Sequence, residues 1–382
     1  MTTYKRLGDY IREVNVRNRD EKVTKLVGLT IDKAFIPSVA NVIGTDLSNY
    51  KVIRREQFAC SLMQVSRDGK IPVAMFEEDE AIMSPAYPMF EVVDKTKLLP
   101  QYLMMWFSRG EFDREASYYA VGGVRGSLTW EDFCNLTLPV PSIDRQREIV
   151  SEYETLSRRI RLNEQMIHRL EATAQALYRK RFVDNIDKEN LPNSWRIGKI
   201  SDFGEVITGK TPSSDNPEDF GGKMPFVTPG DFANYRKFVF SAERYLSDVG
   251  INRLKGKVLP KGSVIVTCIG SDMGKVAIAS EECITNQQMN SIVVKRGEYS
   301  DYLYYVLSSM TKELKAMALG SSTMPLLNKS DFEKIAVIFP SSDLLMEFSH
   351  IITVENNMLL LKLKENSKLT ELQSLLLAKM GQ

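Results

Sequence analysis

One segment of the sequence has the spacing of a phosphate-binding loop. Residues Gly204 to Thr211 follow the pattern Gly-x-x-x-x-Gly-Lys-Thr. In that loop, backbone amides and the lysine hold nucleotide phosphates between an apolar strand and the start of a helix. Here the preceding stretch is half polar, and Pro212 and Pro217 follow, where they would interrupt a helix. The sequence therefore argues against a nucleotide site.

A second segment approaches a catalytic motif without completing it. Ser84-Pro85-Ala86-Tyr87 is one residue away from the proline-tyrosine motif with which amino-methyltransferases stack a flipped base. No glycine-rich cofactor loop after a strand accompanies it. The acidic run at 77–80 is typical of a solvated turn. The two histidines, His168 and His350, lie in helical regions, and the four cysteines are scattered. We therefore predict no catalytic residues, no bound cofactor and no metal, so the chain is not an enzyme by itself.

Several loops instead combine positive charge, hydroxyls and glycine, as nucleic-acid contacts require. Lys and Arg neutralise phosphates, whereas Arg pairs with guanine and Gln or Asn with adenine in the major groove. The predicted DNA-binding residues of the first half are Arg67, Lys70, Tyr119, Arg125 and Ser127. Those of the second half are Lys210, Thr211, Ser213, Ser271, Lys275, Gln287, Gln288, Ser321 and Ser322.

The elements that must position these loops occur twice. Asp132-Phe133 and Pro141 in the first half match Asp331-Phe332 and Pro340 in the second at one offset of 199 residues. Upstream, the turn and strand at 69–73 match those at 274–278. Strand-like runs include 25–30, 51–65, 71–76, 264–269 and 291–294. Each half therefore predicts a mixed α/β domain.

Each domain is followed by a long helix with a heptad seam. The first, at 141–182, contains no Pro or Gly after its start and would extend about 60 Å. The predicted packing residues are Ile149, Leu156, Ile160, Ile167, Leu170 and Leu177 in the first helix and Phe348, Ile352, Leu359, Leu369, Leu372 and Leu376 in the second. The short link from Phe182 to Trp195 favours antiparallel pairing, and parallel pairing stays open.

Composition bounds the remaining questions. With 382 residues, a net charge of +1 and 43% hydrophobic residues, the chain predicts two or three globular domains and no strong charge-driven partner. No long apolar run or leader-like start occurs, so we expect a cytoplasmic protein. The predicted fold class is α+β. Its segments are a domain at 1–142, a helix at 143–184, a domain at 185–341 and a helix at 342–382, in a pseudo-two-fold internal repeat with an antiparallel coiled coil.

With these features, the chain resembles the specificity subunit of type I restriction-modification systems. The resemblance rests on Leu7-Gly8-Asp9-Tyr10-Ile11 and Ile200-Ser201-Asp202-Phe203-Gly204 at the domain starts, the stretch 28–41 with Lys33, the segment 47–52, the Thr208–Ser213 loop, Thr285-Asn286-Gln287, and Pro141 with Gln146 and Ile149. It covers essentially the whole chain. The second helix departs from the pattern, because Leu345 stands where the first has Gln146.

The resemblance implies a role for each part. Each domain would be a target recognition domain that reads one half of a bipartite, asymmetric site in double-stranded DNA. The helices would set the spacing and dock two methyltransferase subunits, which bind S-adenosylmethionine. Restriction subunits, which use ATP and Mg, could join the complex. Two other hypotheses stay open: an enzyme that binds nucleotide at the 204–211 loop, and a two-domain protein-protein scaffold without DNA affinity.

Overall fold

The structure is a computed structural model that describes residues 4–38, 44–63, 65–121, 126–233, 236–270, 273–318 and 326–381. The chain divides into two compact units. The first unit comprises Met1–Leu162 with Asn366–Gln382, and the second comprises Asn163–Glu365. Both long helices thus contribute one part to each unit.

The first unit is a mixed α/β domain with its share of the long helices. Its strands are β1 (Tyr4–Arg6), β2 (Ile11–Glu13), β3 (Val27–Leu29), β4 (Phe35–Pro37), β5 (Lys51–Arg54), β6 (Phe58–Cys60), β7 (Val73–Met75), β8 (Glu80–Met83), β9 (Met89–Val92) and β10 (Thr137–Pro139). Its domain helices are α1 (Val65–Asp68), α2 (Pro100–Phe107), α3 (Gly110–Ala120) and α4 (Trp130–Asn135), with 3-10 turns at Leu7–Asp9 and Leu47–Asn49. The long helix α5 (Ile143–Phe182) begins here.

The second unit repeats this plan with additions. Its strands are β11 (Arg196–Lys199), β12 (Gly204–Thr208), β13 (Phe220–Val227), β14 (Phe238–Val239), β15 (Arg244–Leu246), β16 (Val264–Thr267), β17 (Val276–Ala279), β18 (Ile284–Thr285), β19 (Met289–Val294) and β20 (Ala336–Phe339). Its helices are α6 (Ile200–Phe203), α7 (Asp248–Arg253), α8 (Glu298–Ser309), α9 (Thr311–Ala318), α10 (Lys329–Glu333) and the long α11 (Ser342–Lys379), with 3-10 turns at Pro217–Asp219, Pro229–Ala233 and Lys255–Lys257.

The sheets carry the internal repeat. The first unit has a sheet in the order β2-β9-β6-β7, and the second has β12-β19-β16-β17-β14. In each unit the strand that starts the domain pairs antiparallel with the strand that precedes the long helix, as β1 with β10 and β11 with β20. The same four-strand order in both units confirms the predicted pair of similar mixed α/β domains.

The matched motifs fold alike because their caps are alike. Asp132 donates its N–H to Oγ1 of Thr129 at 3.0 Å, which caps α4. Asp331 donates its own N–H to Oδ1 of Asn328 at 2.9 Å, which caps α10. Each cap is followed by a phenylalanine, Phe133 or Phe332, that is fully buried. A polar cap before an apolar anchor ends the preceding loop and turns the chain toward the domain core.

The long helices pair antiparallel within each unit. In the first unit Gln373 donates from Nε2 to Oγ of Ser157 at 2.7 Å, so the end of α11 lies beside the early part of α5. In the second, Arg181 and Glu347 form an ion pair at 3.0 Å, which joins the end of α5 to the start of α11.

The residues of the heptad seam differ in burial. Ile167, Phe348, Ile352 and Leu359 are buried. The half-buried positions are Ile149, Leu156, Ile160, Leu170, Leu177, Leu369 and Leu376. Leu372 is 49% exposed and lies outside the packed seam.

The predicted strand at 51–65 was wrong in its extent. It is two strands, β5 and β6, separated by a turn in which Glu56 has φ of 66°. The run also ends earlier, because α1 starts at Val65. The first break falls on the polar run Arg54-Arg55-Glu56-Gln57, which interrupts the apolar pattern, whereas Leu62 and Met63 continue that pattern past the end of β6. None of the helices in the described ranges combines the length and the apolar character that a membrane crossing would need.

Candidate nucleic-acid interface

In the second unit, two loops meet where β12 ends and β19 begins. Thr208 pairs with Asn290 at the end of that ladder. Gly209 packs so closely that a Cβ atom would lie 2.2 Å from the carbonyl oxygen of Asn286, which excludes any side chain. The backbone N–H of Lys210 then donates to the carbonyl of Thr285 at 2.9 Å. The loop after Thr208 is thereby fixed against the turn at 285–288.

Side-chain hydrogen bonds complete this contact. Thr211 donates from Oγ1 to Oε1 of Gln287 at 2.5 Å. In the turn itself, Asn286 donates from Nδ2 to Oε1 of Gln288 at 3.1 Å, and its own Oδ1 accepts from the N–H of Gln288. The side chains of Lys210 and Gln287 are exposed. Five of the predicted residues thus lie in one region, Lys210, Thr211 and Ser213 on one loop and Gln287 and Gln288 on the other.

Buried polar groups hold the turn from below. Thr208 donates from Oγ1 to Oδ1 of Asn290 at 2.7 Å, and Asn290 donates from Nδ2 to the carbonyl of Leu327 at 3.0 Å. The N–H of Cys268 donates to the carbonyl of Gln288 at 2.8 Å. Since Asn290 is only 2% exposed, the network is a fixed support for the residues above it.

One further predicted residue of this half, Lys275, lies beside the same support. Lys275 follows Gly274, which has φ of 84°, and its N–H donates to Oγ1 of Thr267 at 2.9 Å. This turn leads into β17, as the sequence predicted. Ser271, Ser321 and Ser322 lie outside the described residues.

The local structure supports the argument against a nucleotide site. Residues 204–208 form strand β12, which is antiparallel to β19, and no helix begins between Gly209 and Asn216. The backbone amides of Gly209 and Lys210 donate to carbonyls of Met289 and Thr285. Amides engaged in this way cannot cradle a phosphate as the motif requires.

In the first unit, the predicted basic residues lie around α1. Arg67 donates to both carboxylate oxygens of Asp68, at 2.7 and 3.1 Å, and lowers the pKa of that carboxyl. Lys70 approaches Asp32 at 3.3 Å. The side chains of Arg67, Lys70 and Asp32 are exposed and that of Asp68 is 26% exposed, so these ion pairs are weak and would exchange readily for phosphate contacts.

Two further predicted positions of this half are close to α1 in space. A Cβ atom on Gly126 would lie 2.2 Å from Oγ of Ser66, so the segment that carries Ser127 passes directly beside α1. Tyr119 is 54% exposed, and its ring meets that of Tyr118, which is 77% exposed, edge to face at 5.7 Å. Exposed aromatic rings can stack on nucleobases. Arg125 lies outside the described residues.

A buried ion pair in the first unit was missed by the sequence reasoning. Lys33 donates from Nζ to Oδ1 of Asp113 at 2.8 Å and also to the carbonyl of Phe107. The same oxygen of Asp113 accepts from the N–H of Ile71 at 3.2 Å. Burial lowers the pKa of Lys33, and Asp113 opposes that shift. The pair fixes the turn at 30–34 beside the segment that follows Lys70. Lys33 has φ of 61°, a conformation that the sequence could not predict, because glycine is the residue that normally indicates a positive φ.

A second missed pair lies in the second unit. Lys237 is 1% exposed and forms an ion pair with Asp301 at 2.7 Å. It also donates to Oδ1 of Asn356, on α11, at 2.8 Å. Its neighbour Arg236 binds Glu164 and Glu171 on α5, at 2.7 and 3.0 Å. Residues 236 and 237 thus fasten the second domain to both long helices within this unit.

No group of three or more His, Cys, Asp or Glu side chains within the described ranges is arranged to hold a metal ion. The candidate loops instead present basic and amide groups. Their chemistry suits an anionic polymer.

Comparison with known proteins gives these features a context. Residues 192–344 match a family model described as the type I restriction modification DNA specificity domain. The HindI specificity subunit of Haemophilus influenzae is 27% identical, over 74% of this chain and 77% of that protein. The MjaIX specificity subunit of Methanocaldococcus jannaschii is 32% identical, over 49% of this chain and 43% of that protein.

A solved structure shares the fold. The S subunit of a type I restriction-modification system from M. genitalium superposes with a TM-score of 0.65, at 14% identity, covering 100% of this chain and 96% of that one. At this level of identity the likeness concerns the fold alone. It extends over both units, whereas the family model matches only the second domain and the first few residues of α11.

Proposed function

Since the chain belongs to the specificity-subunit family of type I restriction-modification systems, we propose that it reads DNA for such a complex and catalyses no reaction itself. Each domain reads one half of a two-part, asymmetric site. The paired long helices set the gap between the halves and dock two methyltransferase subunits. Those subunits supply S-adenosylmethionine, and restriction subunits, where present, supply ATP and Mg.

The observation that carries this proposal is one scaffold with two different loops. The turn between β18 and β19 contains Asn286, Gln287 and Gln288. The corresponding turn between β8 and β9 contains Pro85 and Tyr87, and buried Lys51 donates to the carbonyl of Tyr87 at 2.8 Å. Equivalent positions with unrelated side chains are what the recognition of two different half-sites requires.

Two further observations support the proposal. Arg67, Lys70 and Lys210 are exposed, whereas the net charge of +1 leaves much of the phosphate neutralisation to partners. Cys60, Cys134, Cys268 and Cys283 are all unpaired, which fits a reducing, cytoplasmic location.

The test is to assemble the purified subunit with its methyltransferase and to map the methylated adenines on genomic DNA. A two-part motif with a fixed gap is expected. Seven residues inserted into each long helix, between Leu162 and Asn163 and between Glu365 and Asn366, should widen the gap by about three base pairs, because a heptad adds about 10 Å. Methylation at a continuous site, or a gap unchanged by the insertions, would contradict the proposal.

An ATP-binding assay separates the nucleotide-dependent enzyme from this proposal. The Gly204–Thr211 loop should bind no nucleotide, so wild type and Lys210→Ala should give the same background signal. Binding that Lys210→Ala abolishes would favour the enzyme instead. A protein that assembles with the methyltransferase but directs no sequence-dependent methylation would be the scaffold.

A further inference from the structure

We propose that the loop at 208–213 and the turn at 286–288 form a phosphate-anchoring site, which binds the DNA backbone and does not read bases. The inference rests on the proposed function and concerns which part of DNA this site contacts. It corrects the simpler expectation that Gln287 and Gln288 pair with adenine.

The first step concerns Gln287. Its Oε1 accepts the hydroxyl of Thr211 at 2.5 Å, so that oxygen already has a close donor. Its Nε2 has no hydrogen-bond partner in the described part of the chain. An amide held in this way presents two N–H donors to solvent and leaves its acceptor directed at Thr211.

The second step concerns Gln288, whose side-chain oxygen is also held by a neighbouring residue. Its Oε1 accepts from Nδ2 of Asn286 at 3.1 Å. Oδ1 of Asn286 is in turn engaged by the N–H of Gln288, at 3.1 Å. The Nε2 of Gln288 also has no partner within the described ranges. Both glutamines therefore offer donors while their oxygens face the protein.

The third step adds charge. Lys210 is exposed, and among the described residues its ammonium group has no ion-pair partner. Its backbone is tied to Thr285, so the cation stays beside the glutamine turn. Two carboxylates, Glu205 and Asp215, are equally near in sequence, and Asp215 accepts from Oγ of Ser213 at 3.2 Å. The site therefore combines one cation with two amides whose N–H donors have no partner among the described residues.

The ligand follows from this donor set. Bidentate pairing of Gln with adenine needs one donor and one acceptor on the same amide. The oxygen of each glutamine already accepts a hydrogen bond from a neighbour that fixes its direction, so an adenine would have to compete with Thr211 or Asn286 for that oxygen. A phosphodiester offers acceptors only and carries the negative charge that Lys210 complements. The geometry therefore favours the backbone over a base edge.

The experiment measures DNA affinity and base preference separately. Full-length subunit assembled with its methyltransferase is titrated with duplexes at several salt concentrations, and preferred sequences are selected from a randomised pool. The variants are Lys210→Met, Gln287→Met and Thr211→Val. The matched control is Lys261→Met. Lys261 is exposed and precedes the first residue of β16, whereas the site lies near the last residue of that strand.

Each variant has a distinct expected result. Lys210→Met should weaken binding about 3- to 10-fold on every duplex and reduce the slope of log K against log salt by about one. Gln287→Met should weaken binding by a similar factor without changing that slope. Thr211→Val keeps Gln287 but removes the hydroxyl that holds its oxygen, and should weaken binding about 2- to 5-fold. The control should match wild type, and the selected sequence should be the same for wild type and all four variants.

Two outcomes would overturn the inference while leaving the proposed function in place. One is an altered base preference at any position in Gln287→Met or Thr211→Val. The other is sequence-specific binding that Lys210→Met and Gln287→Met leave as strong as in wild type. A wild-type complex that binds no DNA overturns both the inference and the proposed function.

Discussion

Gln146 and Leu345 occupy the same position in the two halves of the chain, five residues after Pro141 and Pro340, and each is fully buried in a different way. Gln146 accepts from the N–H of Leu99 at 2.9 Å and donates to the carbonyls of Lys97 and Pro141, at 2.8 and 2.9 Å. Leu345 packs in the apolar core of the second unit. The start of the first long helix is thus fixed by hydrogen bonds, and that of the second by apolar packing.

Gln146→Leu should therefore destabilise the first unit. The substitution removes the partner of three backbone groups, and leaving such groups unpaired costs about 1–3 kcal/mol. The measurement is the urea midpoint, together with hydrogen exchange of the Leu99 amide, which should accelerate. Gln165→Leu, at an exposed position on the same helix, is the control and should leave both unchanged. Unaltered exchange at Leu99 would contradict the role assigned to Gln146.

The Lys237–Asp301 pair should behave as a buried ion pair does. Lys237→Met leaves the carboxylate of Asp301 without its cation and should lower the free energy of unfolding of the second unit by about 3–5 kcal/mol. Lys237→Met with Asp301→Asn removes both charges and should recover most of this loss. Arg236→Gln breaks ion pairs whose cation is 39% exposed, so it should cost at most about 1 kcal/mol. Denaturant unfolding of the four proteins checks this; a double variant as unstable as Lys237→Met would be the contrary result.

Met380, which follows α11, is part of the core of the first unit. Met380 is 5% exposed, and the hydroxyl of Tyr4 donates to the carbonyl of Gly381 at 2.9 Å. Met380→Ala should lower the free energy of unfolding of the first unit by about 2–5 kcal/mol. Leu375→Ala, whose parent side chain is 54% exposed, should change it by less than about 0.5 kcal/mol. Equal effects of the two substitutions in denaturant titrations would contradict this packing.

Stability at high pH should report the burial of Tyr178. Burial raises the pKa of this phenol to about 12, and a hydrogen bond with Ser309 opposes the shift. The folded state keeps its proton after the unfolded state has lost it. The stability from this group is therefore complete below about pH 10 and falls by up to about 1.4 kcal/mol per pH unit from there to about pH 12.

Tyr178→Phe removes the titrating hydroxyl, so this variant should lose less stability than wild type between about pH 10 and pH 12. Unfolding by denaturant at pH 9 and pH 11 makes the comparison. Tyr118→Phe, with a parent side chain 77% exposed, should follow the wild-type dependence. A Tyr178→Phe protein with the wild-type pH dependence would show that Tyr178 does not contribute to alkaline unfolding.

The sequence was informative wherever a local pattern determines a local structure. The repeat could be found because Asp132 and Asp331 lie in the capped first turns of equivalent helices, and because Phe133 and Phe332 anchor these helices in equivalent cores. The long helices could be predicted because their apolar residues recur at heptad spacing without a helix breaker.

Contacts between distant segments gave no such signal. Lys33 and Asp113, or Thr211 and Gln287, are polar residues in ordinary surroundings, and only the fold brings each pair together. The sequence could thus identify the candidate loops of the second domain, but it could not reveal that internal hydrogen bonds occupy the glutamine oxygens there.

A domain exchange tests most directly whether each domain reads one half of the DNA site. Residues 1–142 are replaced by the corresponding domain of another specificity subunit, the hybrid is assembled with the methyltransferase, and methylated adenines are mapped on genomic DNA. If each domain reads one half of the site, one half of the recognised site should change, while the other half stays as in wild type. A hybrid that methylates the original site, or one in which both halves change, would contradict the division of recognition between the two domains.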